Sequence, residues 1–174
     1  MLRIITIAIM ATLLTACADS HKLTRIGNPK DHPLSANESI YIAVPSDGMY
    51  EAKTYTGSGA NTTQVIKTAF AHHLRRVQSG RIHQDFDVAL QHAKTNNFTT
   101  LVYPTILHWE DRATEWSGIP DRLEVKIEVV NTADGSVIEE GLIKGKSGWA
   151  TLGGDHPQDL LAKPVEEFVS SLFK

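Results

Sequence analysis

The densest group of chemically capable side chains in this sequence is His108-Trp109-Glu110-Asp111-Arg112, continuing through Glu115 and Trp116 to Asp121-Arg122. A second polar stretch, Gly153-Gly154-Asp155-His156, lies further along. If the two converge, His108, Glu110, Asp155 and His156 offer two imidazoles and two carboxylates. That set could hold zinc or a similar ion and activate a bound water, the chemistry of a metal-dependent hydrolase. The spacing argues against it, because no HExxH or comparable ligand pattern is present. Loop carboxylates and histidines are far more often solvated or ion-paired than ligating. The expectation is therefore no metal, no catalytic residues and no cofactor held by the fold.

Trp109, Trp116 and Trp149 fall in or beside these stretches. Tryptophan together with arginine is the composition of protein-interface anchors. The same rings could equally plug the end of a sheet. The expected interaction surface comprises His108, Trp109, Glu110, Asp111, Arg112, Glu115, Trp116, Trp149, Asp155 and His156, with an envelope protein as partner. A cell-wall glycan or small ligand is the alternative occupant.

Other motifs are weaker. Gly57-Ser58-Gly59 precedes a helical pattern, and free helix amides bind anions. It lacks the lysine and spacing of a phosphate-binding loop, so a flexible loop is the expectation. No G-x-S-x-G nucleophile turn occurs. His72-His73 on the first helix should divide into one partly buried and one exposed ring.

The elements that must position these groups are legible from periodicity. Ile40 to Val44 is a short apolar run stopped by Pro45, as in a buried strand. Ile66, Phe70, Leu74 and Val77 recur at helical spacing, giving an amphipathic helix of about 16 residues capped by Asn61 or Thr62. A second helix should start at Asp85, bury Phe86, Ala89, Leu90 and Ala93, and end at Asn96-Asn97. Thr99 to Trp109 reads as a central strand, complicated by Pro104, which lacks the ladder donor.

Leu123, Val125, Ile127 and Val129 alternate with Glu124, Lys126 and Glu128, so that strand has one wet face. Asp134-Gly135 supplies a hairpin turn into Val137 to Gly148. Pro157 starts a helical turn, and Pro164 opens a final helix burying Val165, Phe168, Val169 and Leu172. There is room for a short extra strand near Arg81. The fold class is α/β, an α+β sandwich: a mixed sheet of about four to five strands with helices mainly on one face.

The amino terminus has a separate purpose. After Arg3, the run from Ile4 to Leu14 is almost wholly apolar, the charged-then-apolar layout of a secretory signal. It is too short for a spanning helix, which needs about 20 apolar residues. Leu14-Thr15-Ala16-Cys17 resembles the lipobox of bacterial lipoproteins, in which a branched residue and two small ones precede an invariant cysteine. That resemblance implies peptidase recognition through Leu14, Thr15 and Ala16, then diacylglycerol and an N-acyl chain on Cys17, with the lipid bilayer as a partner. Two or three chains anchor stably where one does not. The alternative is an ordinary signal peptide that leaves Cys17 as a lone, reactive thiol. In such lipoproteins an aspartate directly after the cysteine is the usual inner-membrane retention signal. Here the aspartate is Asp19, one place later, which implies the outer membrane, facing the periplasm.

The expected organisation is a signal peptide over 1–16, a lipidated extended tether over 17–39 and a single α/β domain over 40–174. The tether follows from the polar composition of 18–39, with Gly27, Pro29 and Pro33 and no apolar period. Cys17 is the sole cysteine, so disulfides and thiolate metal sites are excluded. Net charge is -3, or -4 once Arg3 leaves with the signal. With no basic stripe, nucleic acid is excluded as a partner.

At Tyr41-Ile-Ala-Val-Pro-Ser-Asp-Gly, Tyr55-Thr-Gly-Ser-Gly, Leu101-Val-Tyr-Pro-Thr-Ile-Leu-His-Trp-Glu-Asp-Arg-Ala-Thr-Glu-Trp-Ser-Gly and Trp149-Ala-Thr-Leu-Gly-Gly-Asp-His-Pro, the chain resembles a family of Gram-negative lipoproteins known only as a domain of unknown function. The resemblance spans the whole mature domain and implies a shared fold and location, with no catalytic residues to transfer. More loosely, the element order is similar to that of the amino-terminal domain of TolB, curli secretion lipoproteins and lipoprotein activators of penicillin-binding proteins. Fold-level likeness does not fix function.

Overall fold

The computed structural model describes residues 19–27, 33–111, 120–148 and 156–173. Its elements are β1 (Ser20–Ile26), β2 (Ser39–Val44), β3 (Met49–Tyr50), β4 (Lys53–Thr54), α1 (Ser58–Ala71), β5 (Arg76–His83), α2 (Phe86–Thr95), β6 (Thr100–Glu110), β7 (Arg122–Asn131), β8 (Val137–Lys146), a 3-10 turn at Pro157–Leu160 and α3 (Ala162–Leu172). Six strands form one mixed sheet in the order β1-β8-β7-β6-β2-β5, and β3 and β4 pair separately. The α+β class is as expected, with a larger sheet than four or five strands.

β2 is buried along its whole length because both its faces are covered. It lies parallel to β5 on one side and to β6 on the other. The chain leaves β2 through α1 to reach β5, then crosses back through α2 to reach β6. Crossovers of one hand that run in opposite directions put their helices on opposite faces. Alternation along β2 shows this: Ile40 and Ile42 join Ile66 and Phe70 of α1 in the larger core, while Tyr41 and Ala43 join Ala89 and Ala93 of α2 in the smaller one. Phe168 and Val169 of α3 extend the larger core over β7 and β8. Helices α1 and α3 thus share one face.

β7 behaves as its alternation predicts. Leu123, Val125, Ile127 and Val129 are buried while Glu124, Lys126 and Glu128 are half-buried on the other face. The turn into β8 places Gly135 at φ +78, a left-handed conformation that glycine adopts without penalty. Pro104 fits inside β6 because the ladder with β2 ends at Val102, so no strand on that side asks it for a donor.

Three expectations are corrected. The tether expected over 17–39 contains β1, which pairs antiparallel with β8 from Ser20↔Lys146 to Ile26↔Glu140. Its inward positions are His21, Leu23 and Arg25, so only one of three is apolar and the period-two signal is hidden. His21 meets Glu167 at 3.3 Å, and Arg25 donates to the Glu167 carbonyl and lies over the Phe168 ring. These amphipathic side chains roof α3 with their stems. The first helix stops at Ala71 and does not reach Val77, which belongs to β5. Leu74 and Val77 still reach the larger core, but through a turn and a parallel edge strand.

The third correction concerns Gly57-Ser58-Gly59, read as a flexible loop. Gly57, at φ +91, is the residue before α1, and Ser58 and Gly59 are buried in its first turn. No side chain of α1 caps this end; Asp47 does so from the preceding loop. Its carboxylate accepts from the Gly57 N–H at 3.1 Å and the Gly59 N–H at 2.9 Å. A negative side chain there satisfies orphan amides and complements the helix dipole. The position a bound phosphate would use is therefore occupied by the chain's own carboxylate.

Candidate functional site

In open sheets with this crossover reversal, ligand sites form beyond the carboxyl ends of the strands that flank the reversal. Here those ends are Val44 of β2 and the far end of β6. The loop after β2 folds over them, and the space is packed tightly. A Cβ added to Gly48 would stand 2.4 Å from the Trp109 Cβ, so glycine is required for the loop to lie on that ring. The Gly48 N–H donates to the Ser58 hydroxyl at 2.7 Å, pinning the loop to α1.

Beside this packing is an open, polar cleft of about 330 Å³, lined by residues that include Lys53, Tyr55, Asn61, Asp111, His156 and Gln158. The Tyr55 hydroxyl donates to the Asp111 carbonyl at 3.2 Å, and the Lys53 ammonium lies 4.4 Å from the centre of the Tyr55 ring. His156 Nδ1 stands 3.6 Å from Asp111 Oδ2. The end of β6 and the start of the last helical segment are thereby joined. His156 also starts the 3-10 turn, with Asp159 accepting from its backbone N–H at 3.1 Å.

The sequence-derived candidates divide sharply. Trp109 is 2% exposed and belongs to the larger core, so it plugs the sheet end and offers nothing to a partner. His108 and Glu110 face each other at 3.2 Å, the imidazole half-buried and the carboxylate buried. The Tyr50 ring meets the His108 ring edge-on at 5.4 Å. Asp111 and His156 meet, as the convergence of the two loops requires. Cys17, Leu14, Thr15, Ala16, Arg112, Glu115, Trp116, Trp149 and Asp155 lie outside the described residues.

The two histidines engage different carboxylates, and among the described residues no group of three or more His, Cys, Asp or Glu is placed to hold a metal ion. His72 and His73 divide as expected, with side chains 61% and 27% exposed. Sequence reasoning missed Lys53, Tyr55 and Asp47. Tyr55 stands in one of the distinctive motifs, but only the three-dimensional fold brings it to Asp111, 56 positions away.

A family model described as a domain of unknown function, DUF4823, matches residues 32–172. No curated protein matches the chain. Among solved structures, the PelC dodecamer from Paraburkholderia phytofirmans is similar, with a TM-score of 0.67, 12% identity, and coverage of 88% of this chain and 97% of that one. A single-substitution variant of the same protein gives a TM-score of 0.67 at 11% identity, covering 88% of this chain and 98% of that one. At such identities the likeness shows the fold alone. Lipoprotein GNA1162 from Neisseria meningitidis is more distant, with a TM-score of 0.46, 11% identity, and coverage of 78% and 98%.

Proposed function

The chain belongs to the family described as a domain of unknown function, DUF4823, and on that footing we propose that it is an exported lipoprotein anchored through acyl chains on Cys17. Its folded domain serves as a non-enzymatic protein-interaction module of the cell envelope. The anchor is supported by the charged-then-apolar leader and the Leu14-Thr15-Ala16-Cys17 motif. The position of Asp19 favours the periplasmic face of the outer membrane. No helix among the described residues is long and apolar enough to cross a membrane.

The observation that carries the interaction role is the contact of His156 with Asp111. It draws two loop-bearing ends of the fold into one continuous polar surface beside the cleft. That surface holds histidines in contact with carboxylates and a tyrosine bonded to backbone. The PelC structure is a dodecamer; a second copy is therefore the first partner to test, ahead of another envelope protein.

A photo-crosslinking residue at Asn61, on the cleft rim, should give discrete protein adducts in intact cells. One at Ala133, at the opposite end of the sheet, should give none. Equal adducts from both positions, or none from either, would reject the assignment. A glycan or small ligand in the cleft is a second reading, favoured by Tyr55 and Lys53 together. Pull-down on insoluble peptidoglycan, abolished by Tyr55→Ala, separates it from the first.

A further inference from the structure

Resting on the lipoprotein reading, we propose that the open sheet face at the start of β1 docks on anionic phospholipid headgroups through Lys22, Arg122, Lys144 and Lys146. Chain length makes the first argument. Only Ala18 and Asp19 separate Cys17 from β1. At roughly 3.5 Å per extended residue, Ser20 stands no more than about 10 Å from the acylated residue. Asp19 is itself tied down, since its carboxylate accepts from the Gly148 N–H at 2.9 Å. A domain on so short a leash cannot lift away, so this corner of the sheet is always at the bilayer.

Register makes the second argument. Ser20, Lys146 and Arg122 form one cross-strand row, and Lys22, Lys144 and Glu124 form the next. Side chains directly opposite each other share a face. Their inward neighbours Leu23, Leu123 and Ile143 pack in the larger core, so these rows point away from α3. All four basic residues are exposed.

Charge makes the third. Glu124 pairs with Lys144 at 2.9 Å, and Glu110, opposite Arg122 on β6, is buried. Asp121 is buried. Among the described residues, Lys22, Arg122 and Lys146 enter no ion pair, and the exposed charged side chains on these two rows are all basic. Lipid phosphates are their complement, and a basic side chain within about 8 Å of such a surface is attracted through physiological salt. Lipid is the occupant, ahead of a protein or a second copy, because the anchor keeps it there.

The test uses the full lipidated chain reconstituted into phosphatidylcholine vesicles with and without about one-third phosphatidylglycerol, carrying a nitroxide headgroup quencher. With the Cys17 sulfur acylated, Thr24→Cys provides a single thiol for a fluorophore on the next exposed row of the same face. Thr68→Cys on α1 is the control. The Thr24 probe should be quenched several-fold more than the Thr68 probe in anionic vesicles, and equally with it after Lys22→Glu, Arg122→Glu and Lys146→Glu together. If that triple variant does not fold, the corresponding glutamine triple is used. Acylated protein whose two probes quench alike in anionic vesicles, or whose difference survives the triple substitution, overturns the docking and leaves the lipoprotein reading standing. An unmodified Cys17 by intact mass overturns both.

Discussion

Asp19 and Gly148 are joined by a hydrogen bond of 2.9 Å across 129 positions of sequence. This contact closes the corner where β1 begins and β8 ends, and it makes the amino-terminal segment part of the fold. The family match begins at residue 32, yet the structural unit begins earlier. β1 shields the edge of β8 along seven cross-strand pairs.

A chain beginning at Pro33 should therefore be poorly stable. It loses the β8 partner and the cover that Leu23 and Arg25 give α3, and it bares an unpaired edge. The expected loss is about 3 kcal/mol or more, from a net stability of typically 5–15 kcal/mol. Urea denaturation beside a chain beginning at Ala18 checks this, and equal midpoints would show that β1 is dispensable.

Asp47→Ala should destabilise the domain by about 1–2 kcal/mol, because the amides of Gly57, just before α1, and of Gly59, in its first turn, lose their acceptor. Asp47→Asn should cost less, since an amide oxygen can still serve one of them. Both are read from denaturation midpoints at unchanged m-value; a neutral Asp47→Ala would mean that water caps α1 equally well.

Trp109→Ala should cost about 3–5 kcal/mol, the range for emptying a large buried aromatic site. His156→Ala, which removes a 3.6 Å contact made from an exposed imidazole, should cost under about 1 kcal/mol. If Trp109→Ala instead left stability intact and abolished adducts from the cleft rim, the ring would be an interface residue after all.

Glu139 carries the pH prediction. It is buried on β8, and among the described residues both its carboxylate oxygens lack a hydrogen-bond partner. Burial pushes its carboxyl above the ordinary value near 4.5, and the nearby Arg25 only partly opposes this. The folded form then holds the proton more tightly than the unfolded form, so stability falls as pH rises from about 4.5 through the raised value. Glu139→Gln cannot ionise. Its melting temperature relative to wild type should be smallest near pH 4 and rise towards pH 8, and a difference flat across that range would exclude an ionisation penalty.

Much of the architecture was written locally. β7 alternates apolar and charged residues over one wet face, Asp134-Gly135 turns the chain into β8, and α2 and α3 carry their buried residues at helical spacing. Such patterns are readable because each residue's environment repeats with the geometry of its own element. The leader and lipidation site proposed at Cys17 belong to the same class, since a peptidase and an acyltransferase would read a short linear string.

Other features had no local signature. β1 buries histidine and arginine stems where an apolar residue would have announced a strand. Asp47 caps a helix beginning eleven positions later in the chain. Trp109, equally suited by composition to an interface or a core, was settled only by Gly48 closing over it. The meeting of Asp111 with His156 was conditional on two loops converging. Pairing between distant segments depends on which surfaces the packed sheet leaves adjacent, and that is decided by the tertiary structure because no residue's spacing along the chain encodes its distance from a remote one.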